Sequence, residues 1–201
     1  KNQMYQNISH DFKTPITVIK SHIEAIEDGI MDPKVGGAII KEQTDKLEQK
    51  VHSLLYLNKL TYLKDLEKSD EKINIRPIVE SSVEKFKIQR PEVDFIVNAS
   101  GKMIFNGTHD MWEAIIDNLL NNFVRYALKE IKITIKNNKI TFYNDGPHID
   151  TNILNNIFTP YKKGIKGQFG LGLSIVKKTL NLLGYEINVK NEKKGVSFII
   201  K

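Results

Sequence analysis

The sequence predicts an α+β protein in two parts: a helical hairpin that forms a dimeric four-helix bundle, followed by a two-layer α/β sandwich. Three observations lead there. Ile8, Phe12, Pro15, Ile19, Ile23, Ile26 and Ile30 recur at steps of three and four, the spacing of one helix face, and Leu47, Val51 and Leu54 resume it after a break at "GIMDPKVGG". Beyond the polar run "KDLEKSDEK" the texture changes to short strand-like runs alternating with helical ones. With 201 residues, 40% of them apolar and 27% charged, the chain has the material for one or two ordinary cores.

The first part reads as two long helices joined by a turn. Their apolar seams are too wide for the pair to cover alone, so a second copy completes a bundle and the hairpin is a dimerisation element. The expected boundary divides residues 1–68 from residues 69–201. In the second part "KINI" and "DFIVNAS" are strands flanking a helix from about Pro77 to Gln89, and "KMIFNG" is a third strand. "THDMWEAIIDNLLNNFVRYALK" is a long helix with Thr108 at its cap position. "IKITIKNN" and "KITFYND" form a hairpin turning at "NN". A short helix near "TNILNNIF", a glycine-rich loop, a helix from Gly170 to about Leu183 and the strands "YEINVK" and "GVSFIIK" close the chain. Helices with mostly antiparallel strands give the two-layer sandwich.

Composition also excludes. The net charge of +6 is spread along the chain, with no basic stripe interleaved by aromatic residues, so nucleic acid is not an expected partner. Cysteine is absent, which removes disulfides, zinc-thiolate sites and thiol nucleophiles and fits a reducing cytoplasm. No apolar run approaches the roughly 20 residues that cross a bilayer. The chain starts at Lys1 inside a helical pattern, without cap or initiator methionine, so the expectation is a cytoplasmic piece of a longer, membrane-anchored protein.

Several segments carry polar residues that packing alone does not require. On "DNLLNNFVRYA", Asn118 and Asn122 stand four apart on one face, with Arg125 and Tyr126 a turn further on. Asparagine is a mediocre helix former, and its carboxamide oxygen can ligate Mg²⁺, which shares its remaining positions with waters and phosphate oxygens. Arg125 can hold a phosphate. In "YNDGPHID" a strand ends at a Gly146-Pro147 turn, which exposes Asn144 and Asp145; the reading is either a tight turn or polar groups offered to a base edge. "TPYKKGIKGQFGLGLSIVKK" concentrates glycines between Gly164 and Gly172 before an apolar helix, the makings of a phosphate cradle. It matches neither the Walker nor the dinucleotide spacing. Lys162, Lys163 and Lys166 make the loop basic, either as solvated surface or as phosphate attractors.

Together these segments resemble, along nearly the whole chain, the cytoplasmic catalytic core of a two-component sensor histidine kinase. "SHDFKTP" is similar to the phospho-acceptor box of that family, "DNLLNNFVRY" to its asparagine box, "NDGPHI" to its first glycine box, "IFTPY" to its phenylalanine box and "GQFGLGLSIVK" to its second glycine box. The resemblance implies a histidine phosphotransfer hairpin and an ATP-binding sandwich of the gyrase type, with ATP and Mg²⁺ as cofactors and a response regulator as partner. By matching position it makes His10 the phosphate acceptor, Asp11 the acid that polarises its ring, and Thr14 a residue used in dephosphorylating the partner. It makes Asn122 the Mg²⁺ ligand, assisted by Asn118, with Arg125 and Tyr126 along the triphosphate. Asn144, Asp145 and Gly146 fall in the base-binding turn. Lys162, Gly170, Leu171 and Gly172 fall in and after the lid, whose start Phe158 anchors.

The chain departs from the family in places. Asn144 stands where aspartate is usual, His148 replaces the second glycine of that box, and Gln168 and Phe169 precede Gly170 where a glycine and a small residue are common. Val196 stands where threonine is common. A neutral carboxamide facing adenine implies weaker nucleotide binding. Two other functions therefore stand beside the kinase: a gyrase-type ATPase, and a degenerate dimeric scaffold that docks a response regulator but binds ATP weakly.

The acceptor box also has a direct physical reading. A solvent-facing imidazole near neutral pH keeps a nitrogen lone pair that can attack phosphorus. Asp11 lies about 100° round the helix and reaches the ring only in particular rotamers. Thr14, at i+4, stacks on the face of His10, where its hydroxyl can orient a water or a carboxylate. Pro15 removes a backbone hydrogen bond one turn back and makes a hinge below the acceptor. His22, His52 and His109 read as surface or helix-start residues.

Overall fold

The computed structural model describes residues 2–63, 71–101, 103–136, 138–154, 156–160 and 171–201. Lys162, Lys163, Gly164, Lys166, Gly170 and the expected boundary at residue 68 lie outside the described residues.

Helix α1 spans Asn2–Glu27 and α2 spans Pro33–Leu63. Asp32 caps α2: its carboxylate accepts from the amides of Lys34 and Val35 at 2.9 and 3.2 Å. Pro33 sits at the first helical position, where its missing N–H is not needed. The helix therefore starts before Gly36 and Gly37, which the sequence pattern placed in the break. Its inward stripe is Leu47, Lys50, Leu54, Leu57 and Leu60, with Lys50 buried and Val51 41% exposed. The expected Leu47–Val51–Leu54 stripe is thus rotated by one residue.

The remaining elements are β1 (Lys72–Asn74), α3 (Arg76–Gln89), β2 (Asp94–Ala99), β3 (Ile104–Asn106), α4 (His109–Tyr126), β4 (Glu130–Lys136), β5 (Lys139–Asn144), α5 (Thr151–Leu154), α6 (Gly172–Leu183), β6 (Ile187–Asn191) and β7 (Val196–Ile200). The main sheet has the order β2-β4-β5-β7-β6, parallel between β2 and β4 and antiparallel elsewhere, while β1 and β3 pair apart from it. In β4, Ile131, Ile133 and Ile135 are buried and the alternate residues are half-exposed, so one face of the sheet is dry.

Helices α3, α4 and α6 cover that face. Helix α4 buries Trp112, Ile115, Ile116, Leu119, Leu120, Phe123 and Val124. Phe123 meets Phe142 and Phe198 edge-on, at centroid distances of 6.2 and 5.3 Å. A second, smaller cluster joins the two parts of the chain: Leu57 and Leu60 of α2 pack on Leu171 and Ile175, with Leu54, Tyr56 and Leu182 at the edge. Among the described residues no helix is long and apolar enough to cross a membrane.

The β6–β7 turn depends on Gly195. Its φ is +77°, and a β-carbon there would overlap the carbonyl of Asn144 on the neighbouring strand. Gly195→Ala is expected to destabilise the chain by about 2–3 kcal/mol, from the left-handed strain and the backbone collision together. Denaturant unfolding of the full chain measures it.

Candidate active site

The turn that carries His10 is built by the phase of α1. His10 is turned to solvent, with 76% of its side chain exposed, and Asp11 is turned inward with 9% exposed. The His10 Nδ1 and Asp11 Oδ1 atoms are 3.7 Å apart, beyond a hydrogen bond but within reach of a small rotation. With Nδ1 toward the carboxylate, Nε2 is the ring nitrogen that faces away from Asp11. Thr14 is exposed at i+4 as its spacing required, and its hydroxyl donates to the His10 carbonyl at 3.1 Å. Beneath this turn, the buried ammonium of Lys50 donates to the main-chain carbonyl of Asp11.

The second group of polar residues is placed by α4. Because its apolar stripe faces the sheet, Asn118, Asn122, Arg125 and Tyr126 fall on the remaining side, all half-buried. Thr108 caps the helix, accepting from the Met111 amide at 3.3 Å. Asn118 donates from Nδ2 to the Ala114 carbonyl at 2.7 Å, and its Oδ1 is directed to the first residue of α6. A β-carbon on Gly172 would stand 2.7 Å from that oxygen, so a larger residue there would displace the Asn118 carboxamide. Helix α6 begins there, and the positive end of its dipole favours anions. Leu171 is buried just before it, and the Ser174 hydroxyl donates to the Leu171 carbonyl at 2.7 Å. Phe158 lies edge-on to Phe198 at 6.1 Å with the Lys177 ammonium 5.9 Å from its ring, which ties the chain to the sheet shortly before the glycine-rich loop.

The turn after β5 corrects one expectation. Asn144 is not presented at the strand end: it is 3% exposed, and its Oδ1 accepts from the Gly146 amide at 3.0 Å. Asp145 is also engaged internally. Its Oδ1 accepts from the amides of Leu128, Lys129 and Glu130 at 2.9, 3.1 and 3.1 Å, and its Oδ2 from Lys129 at 3.0 Å. Partial burial disfavours the charged form, but these amides outweigh it and hold the Asp145 carboxyl below the usual range. The aspartate is a clamp on the loop that joins α4 to β4. Gly146 itself is buried against the carbonyl of Tyr126.

Sequence reasoning missed two further supports of this site. Arg90, after α3, donates to the carbonyls of Val124 and Ala127, capping the turn that carries Arg125 and Tyr126. Lys50 reaches α1 from α2. Both contacts join residues more than thirty apart, and neither leaves a local pattern.

These residues fit a magnesium nucleotide. Asn118 and Asn122 supply carboxamide oxygens and Arg125 a guanidinium on one side of α4, donors suited to a metal-bound phosphate, and Asn118 reaches the first residue of α6. The carboxamide oxygens of Asn118 and Asn122 are of the kind that ligates Mg²⁺ together with waters and phosphate oxygens, and among the described residues no group of three or more His, Asp and Glu that could hold a metal occurs.

Comparison with known proteins agrees with this geometry. Residues 1–63 match the family described as His Kinase A (phospho-acceptor) domain, and residues 107–201 match the family described as Histidine kinase-, DNA gyrase B-, and HSP90-like ATPase. The chain is 38% identical over 204 residues to the sensor histidine kinase CssS of Bacillus subtilis, covering 98% of this chain and 45% of that protein. It is 30% identical over 225 residues to the sensor protein SrrB of Staphylococcus aureus, covering 100% of this chain and 38% of that protein. It thus spans less than half the length of these relatives. Among solved structures, the Acinetobacter baumannii histidine kinase AdeS has the same fold at a TM-score of 0.78 and 22% identity, over 95% of both chains. The histidine kinase ThkA, in complex with response regulator protein TrrA, gives 0.77 and 22% over 98% of this chain and 60% of that one.

The Asp145 clamp has a pH signature. Because its folded pKa is depressed, its stabilisation is complete above the unfolded value of about 3.9 and is lost as pH falls through the folded value. Asp145→Asn is expected to lower stability by about 1–2 kcal/mol at pH 7, with the gap to wild type closing as pH falls through the folded value. Denaturant titrations across that range measure it.

Proposed function

Because the chain belongs to the histidine kinase family, with a phospho-acceptor domain and an ATPase domain in sequence, we propose that it transfers the γ-phosphoryl group of ATP to His10 and then to an aspartate of a response regulator. The observation that carries this reading is the pair of an outward His10 and an inward Asp11 on one turn, in the same chain as the Asn118–Gly172 approach. The domains divide at residues 68 and 69. The exposed Ile16, Ile23, Val51 and Leu55 of the hairpin support a homodimer, whose second copy covers them. The chain works on the cytoplasmic side as part of a longer, membrane-anchored sensor.

The chain's own residues do the positioning. Asp11 accepts from the Nδ1–H of His10 after a small rotation, which fixes the tautomer, raises the nucleophilicity of Nε2 and stabilises the positive charge that develops on the ring. Asn122, assisted by Asn118, holds the metal, and Arg125 with Tyr126 lines the phosphates. Leu171 and Gly172 bring the α6 amides to the same place, with Lys162 and Gly170 contributing from the lid. Asn144 and Gly146 form the floor of the base site, and Asp145 sets that floor by clamping the adjoining loop. Bound Mg²⁺-ATP supplies the phosphoryl group and neutralises its charge. Thr14 serves the reverse chemistry, holding a water in line with a regulator acyl phosphate.

One observation favours a second reading, the weakly binding scaffold: the Asn144 oxygen is engaged by the Gly146 amide instead of facing an open pocket. Labelled ATP and Mg²⁺ decide between them. The kinase gives a label on His10 that is acid-labile and base-stable; His10→Gln abolishes it with nucleotide affinity unchanged, and Asn122→Ala loses both label and magnesium-dependent binding. A scaffold gives no label, and an ATPase releases phosphate without a phosphohistidine.

Thr14→Ala is expected to keep most of the autokinase rate, because attack on ATP needs the imidazole lone pair and its acid. It should slow decay of the phosphorylated regulator about tenfold, the effect of losing a positioning contact of about 1.4 kcal/mol. Decay with ADP present, beside an autophosphorylation time course, separates the two.

A further inference from the structure

Pro15 lies inside α1, and a proline has no N–H for the carbonyl four residues earlier. That carbonyl belongs to Asp11, the residue after the acceptor. The proline ring also crowds the same oxygen and tilts it away from the helix axis. Both Asp11 and Pro15 are on the buried side of α1, where a carbonyl has to find a donor other than water.

Lys50 supplies it. Its Nζ donates to the Asp11 carbonyl, and the ammonium lies 5.8 Å from the centroid of the Phe12 ring. Lys50 is 5% exposed and holds an inward position of α2 between Leu47 and Leu54, where hairpin packing alone calls for an apolar side chain. A lysine there and a proline in the facing helix are complementary irregularities. Each would be unfavourable alone.

We infer that Lys50 is a positioning residue for phosphorylation of His10: by binding the carbonyl that Pro15 leaves without its helical donor, it ties the acceptor turn of α1 to α2 and sets the orientation of the His10–Asp11 pair. The turn that carries the nucleophile is held across the hairpin instead of along its own helix. This rests on the reading of His10 as acceptor.

The test is a double-mutant cycle in the full chain. Lys50→Met keeps length and burial but removes the donor, Lys50→Arg keeps donors, and Pro15→Ala restores the helical N–H to the same carbonyl. At saturating ATP, Lys50→Met is expected to slow His10 labelling about tenfold with KM for ATP unchanged, and Lys50→Arg to recover to within about threefold of wild type. In the Pro15→Ala background the same Lys50→Met change should cost less than about threefold. The ¹³C resonance of the Asp11 carbonyl should move upfield in Lys50→Met and stay in place when Pro15→Ala is added. An equal loss in both backgrounds, a loss confined to KM, or an unmoved carbonyl resonance overturns the assignment. If Lys50→Met lowers the melting temperature, that penalty must also shrink with Pro15→Ala, and an unchanged penalty overturns it too. A wild-type chain that takes no label refutes the acceptor reading, while the resonance and the melting cycle still decide on Lys50.

Discussion

The arrangement of the sandwich rests on the rotational phase of α4. Its stripe from Trp112 to Val124 is buried against the dry face of the sheet, and each large apolar side chain so buried contributes roughly 1.5–3 kcal/mol. No rotation of the helix keeps that burial. The polar stripe of Asn118, Asn122, Arg125 and Tyr126 is therefore fixed on the side away from the sheet, with Asn118 reaching the start of α6, and core packing sets the direction of these residues. Both ends of the helix are held as well, by Thr108 at its start and by Arg90 at its last carbonyls. Asp145 then fixes the loop that follows, so that the site is framed by groups that do not belong to it.

The hairpin obeys a different constraint. It presents the His10 side chain on a surface, so the helix must hold a group that has few contacts of its own. Here the holding is done from the buried side, by Asp11 beside the ring and by Lys50 beneath the backbone. Lys50 and Leu57 are two turns apart on α2, about 10 Å along its axis at 1.5 Å per residue. The patch that Leu57 and Leu60 make with Leu171 and Ile175 thus places the start of α6 and the turn that carries His10 against one helix, at different levels.

What was legible in the sequence was what short-range physics writes there. The helix periods, the Thr108 cap, the β4–β5 hairpin, the exposed His10 with Thr14 on its face, and the asparagine stripe all follow from spacings of two to four residues. Even there the pattern erred by one residue on α2, since hydrophobicity favoured Val51 and the structure buries Lys50. The reason is a proline some thirty-five residues away.

The sequence by itself determined the two-part architecture and the order of the elements, and it named the candidate site residues, because amphipathic period, capping and motif spacing are local properties. Only the tertiary structure decided which polar groups serve the framework instead of a ligand. Asn144 and Asp145 read as an exposed pair, yet one bonds the Gly146 amide and the other clamps the amides of Leu128 to Glu130. Only it showed that Gly195 makes room for the Asn144 carbonyl and that Lys50 answers Pro15. A buried carbonyl or amide needs a partner, and the chain supplies one from wherever folding brings a donor or acceptor within reach, which no local pattern records.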